Sequence, residues 1–176
     1  MRTITRSYET YETGRRVVEA LESAGFPTSN ISLVGRHADA DDSKAGEGAG
    51  IGAALGGAAG LLAGLGLLAI PGIGPVVAAG WLASTAAGAA AGGAAGGIVG
   101  ALMREGEDEE AANYYAETVR RGGTVVSVKT DDEQAPAAEA IMDGATPIDR
   151  STRLTNYRSE GWSRFDESGQ PYRLPI

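Results

Sequence analysis

The side chains that could do chemistry are few. His37 is the one histidine and stands beside Asp39, Asp41 and Asp42. Such a group could hold a metal or move a proton. A zinc-type centre calls for further nitrogen or sulfur ligands, and the chain has no cysteine and no second histidine, so the plainer reading is a solvated loop. The aspartates also miss the calcium-loop pattern, which requires a central glycine and a closing glutamate. Gly64-Leu65-Gly66-Leu67-Leu68-Ala69 fits a dinucleotide fingerprint on spacing alone, but it lies inside an apolar run and follows no strand. There is no GxxxxGK[ST] phosphate loop and no placed serine, histidine and acid set. No catalytic, cofactor or metal residue is therefore assigned, and the chain reads as a non-enzyme without cofactor.

What must be positioned is then a frame. The 176 residues, 17.9 kDa, suffice for one domain and an appendage. A net charge of −8 leaves no basic surplus to displace phosphate counterions, so nucleic acid is excluded as a partner. The charges are segregated: Gly48 to Met103 contains no Asp, Glu, Lys or Arg, and that run holds 17 of the 27 glycines. The chain divides into residues 1–44, an apolar insert 45–104, a second charged part 105–150 and a tail 151–176.

Residues 3–36 read as strand, helix, strand. Thr10 suits a helix N-cap, Val17, Leu21 and Ala24 fall at helical spacing, and Gly25-Phe26-Pro27 closes the helix. After the insert, Asp108–Arg121 reads as a helix, acidic at its start and basic at its end. Gly122-Gly123 stops it, and 124–129 is the clearest strand. Pro136 opens a helix to Asp143, and Ile148-Asp149 is a last short strand. The fold class is α+β: a ferredoxin-like βαβ plus αβαβ domain, with four antiparallel strands and helices on one face.

Within the insert, Gly48, Gly52, Gly56, Gly60 and Gly64 recur every four residues. Gly80, Ser84, Gly88, Gly92, Gly96 and Gly100 do the same. Between them lies a turn containing Pro71, Gly72, Gly74 and Pro75. The spacing predicts a helical hairpin whose arms, about 49–70 and 80–100, pack through side-chain-free ridges and so drive self-association. Length and lack of charge suit a lipid membrane. Acidic flanks and an aliphatic-poor second arm suit the buried core of a soluble oligomer, filament or shell. Both readings stay open.

The sequence resembles the bacterial general stress protein family typified by heat-induced stress protein 17M. The resemblance rests on Leu21-Glu22-Ser23-Ala24-Gly25-Phe26 with Ile31–Val34, on the Gly48–Gly57 run, on the 70–75 turn and on Arg120–Gly123. It covers about residues 2–150. It implies stress-linked expression and no established catalysis, and supplies no catalytic residues.

The tail carries Tyr157, Trp162, Phe165 and Tyr172 among arginines, and reads as a strap with aromatic anchors for a neighbouring subunit. The expected function is a non-enzymatic, self-associating structural protein at a membrane. The alternatives are a soluble assembly and, third, a ligand-sensing module. Arg2 and Arg6 precede no apolar h-region, which places the charged domain in the cytoplasm, with any hairpin at the inner face of the cytoplasmic membrane.

Overall fold

The computed structural model describes residues 1–36, 66–85, 97–170 and 172. The elements run β1 (Arg2–Tyr8), α1 (Tyr11–Ser23), a 3-10 turn (Thr28–Asn30), β2 (Ile31–Gly35), β3 (Gly66–Ile70), β4 (Gly74–Gly80), α2 (Gly97–Arg104), α3 (Glu109–Arg120), β5 (Thr124–Thr130), α4 (Ala135–Gly144) and α5 (Arg150–Ser159). Residues 81–85 are also helical.

The helix boundaries follow local chemistry. The Thr10 side chain accepts from the Thr13 N–H at the start of α1, and Asp108 accepts from the Ala111 N–H at 2.7 Å to start α3. At the end of α1 the Phe26 N–H reaches the Leu21 carbonyl while Gly25 takes φ +90, the glycine closure expected from the sequence.

The strands form one antiparallel sheet in the order β1-β5-β2-β4-β3. β5 lies between the two strands of the first βαβ unit, pairing Val128 with both Ile4 and Ile31. Both faces are covered. α1 and α4 bury Leu21 and Met142 against Ile4, Leu33 and Val126. On the opposite face, α2, α3 and α5 bury Leu102, Tyr114 and Tyr157 against Val34, Val76 and Val125. Two-sided burial explains why β2 and β5 are buried at nearly every position rather than alternating.

Two expectations need correction. The sheet has five strands instead of four, with helices on both faces. Ile148-Asp149 is not a strand: the Ile148 N–H makes one bond, at 2.8 Å, to the Ser7 carbonyl on the β1 edge.

The insert differs more. Residues 66–70, expected at the end of the first helical arm, are a strand, and so are 74–80, expected to lead from the turn to the head of the second arm. The turn falls at the expected place but joins a β-hairpin. The Ile73 N–H donates to the Ile70 carbonyl at 3.0 Å, and Gly72 has φ +76. Pro71 followed by a positive-φ glycine is the type II pattern. Val76-Val77 then favours a strand, with Val76 closing the core beside Ile73 and Val77 packed on the opposite face. Pro75 pairs with Ala69 and lies beyond the β2–β4 ladder, so its missing N–H costs that ladder nothing. Gly80, expected at the head of a helical ridge, is the last residue of β4. Its φ is +81, and a Cβ there would stand 2.1 Å from the Ile31 carbonyl oxygen. Ser84 lies in the helical residues 81–85 and Gly100 in α2. Gly48, Gly52, Gly56, Gly60, Gly64, Gly88, Gly92 and Gly96 lie outside the described residues, as do His37, Asp39, Asp41 and Asp42.

α1 approaches the sheet closely at Gly14, where a Cβ would stand 2.5 Å from Thr124 Cγ2. In an exposed helix, Gly→Ala gains about 1 kcal/mol. Overpacking a filled core loses about 1–3 kcal/mol. Gly14→Ala is therefore expected to destabilise the chain in urea unfolding. In a Thr124→Ala background, which removes the clashing methyl, the same change is expected to reverse sign.

Candidate functional site

The densest charge constellation grows from one helical repeat, Glu117 with Arg120 and Arg121 at i+3 and i+4. These residues end α3, whose other face packs on the sheet, and Glu117 is left only 1 % exposed. Arg120 grips its carboxylate with two bonds, Nε to Oε2 at 2.8 Å and Nη2 to Oε1 at 2.7 Å. Arg121 Nε adds a third to Oε1 at 2.6 Å. A buried carboxylate is tolerated only when paired and saturated with donors; here two guanidiniums do both. Burial alone would lower the Arg121 guanidinium, but its bonds to Glu160 and Glu117 outweigh it and raise the pKa.

The tail completes this group. Asp149 caps α5, accepting from the Thr152 N–H at 2.7 Å and from the Ser151 hydroxyl. α5 lays Tyr157 against Tyr114 and under Arg121, whose guanidinium carbon is 4.3 Å from the ring centre. Glu160 binds the other side of Arg121. Trp162 closes edge-on over Tyr157 at 5.8 Å. Phe165 is buried, and its N–H donates to Asn113 Oδ1 at 3.0 Å. The chain then crosses the β-hairpin turn so closely that a Cβ on Gly72 would stand 2.5 Å from the Asp166 carbonyl oxygen. Tyr172 lies under both arginines, 5.5 Å from Arg120 and 5.4 Å from Arg121, and its carbonyl accepts from Arg36 at 2.7 Å.

The expected aromatic anchors are thus brought together, but in cis. Tyr157, Trp162, Phe165 and Tyr172 dock on α3 of their own chain rather than on a neighbouring subunit, and part of the tail is a helix. The sequence presents Arg120 and Arg121 as complements to the helix dipole and as part of the run that carries the family resemblance, not as partners of Glu117. The i, i+3, i+4 spacing from Glu117 was the available signal for the clasp.

Other polar groups are committed locally. Burial raises the Tyr8 and Tyr115 hydroxyl pKa values, and each donates to a carbonyl, of Met142 at 2.9 Å and of Thr5 at 3.0 Å. Lys129 lies 4.1 Å above the Trp81 ring and pairs with Glu105 at 2.7 Å. A groove of about 360 Å³ runs beside the β1 edge between Tyr114, Tyr115 and the 147–150 crossover. Among the described residues no His, Cys, Asp and Glu group could hold a metal ion, and no helix is long and apolar enough to cross a membrane.

Comparison with family models, with curated proteins and with solved structures gives no match to this chain.

Two outcomes follow from the clasp. Glu117→Gln strips charge from three hydrogen bonds and is expected to lose about 2–3 kcal/mol in chemical unfolding. Glu160→Ala, which removes a carboxylate that is itself mostly exposed, is expected to lose less than about 1 kcal/mol. The α5 cap gives a pH dependence. Hydrogen bonds from Thr152 and Ser151 draw Asp149 from its ordinary 3.8 to about 2. A depressed carboxylate stabilises the fold above its unfolded value and loses that contribution as pH falls through the folded one. The stability gap between wild type and Asp149→Ala should therefore be full at pH 6 and shrink between about pH 4 and 2, as read by Trp162 fluorescence.

Proposed function

We propose that the chain is a non-enzymatic structural protein, stress-linked as the family resemblance implies, that self-associates through its apolar 45–104 segment. The observation that carries this reading is the outer strand of the sheet. Among the described residues β3 pairs only with β4, and its sequence GLLAI has neither charge nor proline. Sheets commonly guard an edge with charges, proline or a bulge, because unpaired backbone groups template a further strand. An edge strand without charge or proline, inside an uncharged, glycine-rich segment, suits addition of a second copy.

The frame supports a finer proposal. It is that β1, α1, β2, β5 and α4 form a ferredoxin-like unit, a reading supported by the place of β5 between β1 and β2 and by α1 and α4 sharing one face. The Ile148–Ser7 bond stands where its last strand would lie. Self-assembly from this frame is favoured over a membrane hairpin because Gly66–Gly80 is incorporated in the sheet of the charged domain. Membrane association is the second reading, favoured by the uncharged run Gly48–Met103.

Sedimentation velocity tests the proposal. Concentration-dependent oligomers are expected without detergent. Ala69→Lys, at an exposed position of β3, is expected to shift them toward monomer, as is the pair Gly56→Leu with Gly92→Leu. A wild-type chain that sediments as a monomer at all concentrations overturns the reading. Pelleting with lipid that detergent releases would favour the membrane.

A further inference from the structure

The crossover between α4 and α5 is short and strained. α4 lies on one face of the sheet and α5 on the other, so residues 145–149 pass around the β1 edge. Within them Thr146 has φ +55, the one non-glycine in the left-handed region among the described residues. For a β-branched side chain this conformation is an outlier, and such outliers persist only where surrounding contacts enforce them. The Thr146 N–H is held by the Asp143 carbonyl at 3.1 Å, and the Ile148–Ser7 bond ties the crossover to the sheet. Beneath Pro147–Arg150 runs the groove of about 360 Å³.

The segment beyond the crossover binds the body through distant residues. Arg158 pairs with Glu110 at 2.8 Å, Arg153 with Glu9, and Glu160 with Arg121. Tyr157, Trp162 and Phe165 fill the apolar groove on α3. None of these contacts requires that the segment belong to the same chain. An identical segment from another copy would remake each of them, which is the condition for exchange at low cost.

We propose that α5 and the strap exchange between two copies of the chain. Residues 145–149 extend, Thr146 leaves the left-handed region, and each arginine clasp is completed by the partner's Tyr157 and Glu160. Five extended residues span at most about 17 Å, so the two β1 edges must lie close together in such a dimer. This goes beyond the self-association proposed above, since it does not use the outer edge of β3.

The chain has no cysteine, so introduced thiols report cleanly. A Glu110→Cys chain is mixed with an Arg158→Cys chain, refolded together and treated with a short bismaleimide. A covalent heterodimer is expected, with yield rising with concentration. Thr146→Gly, which relieves the strain, should lower that yield several-fold. Linking confined to the doubly substituted chain, with none between the singly substituted ones, overturns exchange. The independent pair Glu9→Cys with Arg153→Cys must give the same answer, which guards against one pair disturbing the fold. Oligomers that form without the heterotypic link remove exchange and leave association through the insert standing.

Discussion

The structure depends on one constraint: β5 must be inserted between β1 and β2. Those two strands run parallel, joined by α1, and do not touch. β5 supplies antiparallel partners to both. Everything else is referred to it. α1 and α4 pack over one of its faces and α3 over the other. β4 and β3 extend the sheet outward from β2. Removing β5 would leave β1 without a partner and cut it off from the β2-β4-β3 part of the sheet, and a single strand buries too little apolar surface to hold its shape.

Two-sided coverage of β5 in turn sets the problem that the arginine clasp solves. α3 must lie flat on the sheet, so its inner face carries Tyr114, Tyr115 and Val119. Glu117 falls beside that face and is buried with them. The carboxylate is accommodated because two arginines one turn on fold back over it. Their outer surfaces then become a platform for Tyr157 and Tyr172. The tail is held by this platform as much as by the apolar groove that takes Phe165. A buried charge, costly in isolation, thus specifies where α5 and the strap to residue 170 lie.

Much of the frame was legible in the sequence because its signals are local. Thr10 and Asp108 cap helices by hydrogen bonds within one turn. Gly25 and Gly122 stop them through a backbone conformation that glycine reaches without strain. Thr124–Thr130 is β-branched at five of its seven positions. The insert was misread at residues 66–80 because glycine every four residues fits a helix, whereas the strand signals Val76-Val77 and Pro71-Gly72 are short. What decided the matter was tertiary: β2 has a free edge, and pairing with β4 satisfies it. The strap was legible as aromatics in a polar tail. Its destination was not, since spacing cannot say whether an anchor finds its own groove or another copy's. The clasp could have been found from Glu117, Arg120 and Arg121 alone, but only burial distinguishes it from an ordinary solvated helix pair.

The position of β5 also governs the order in which the molecule can come into being. During synthesis β1, α1 and β2 leave the ribosome about ninety residues before β5. At about 5–20 residues per second, the first three elements wait some five to twenty seconds for the strand that joins them. Throughout that interval the long uncharged segment is emerging as well. Over that interval β1 has no partner at all, and β2 has none until β4 follows, while the uncharged sequence is in water with them. Its folding is of necessity late, closed from the C-terminal side, and dependent on whatever shields the chain until residue 130 appears.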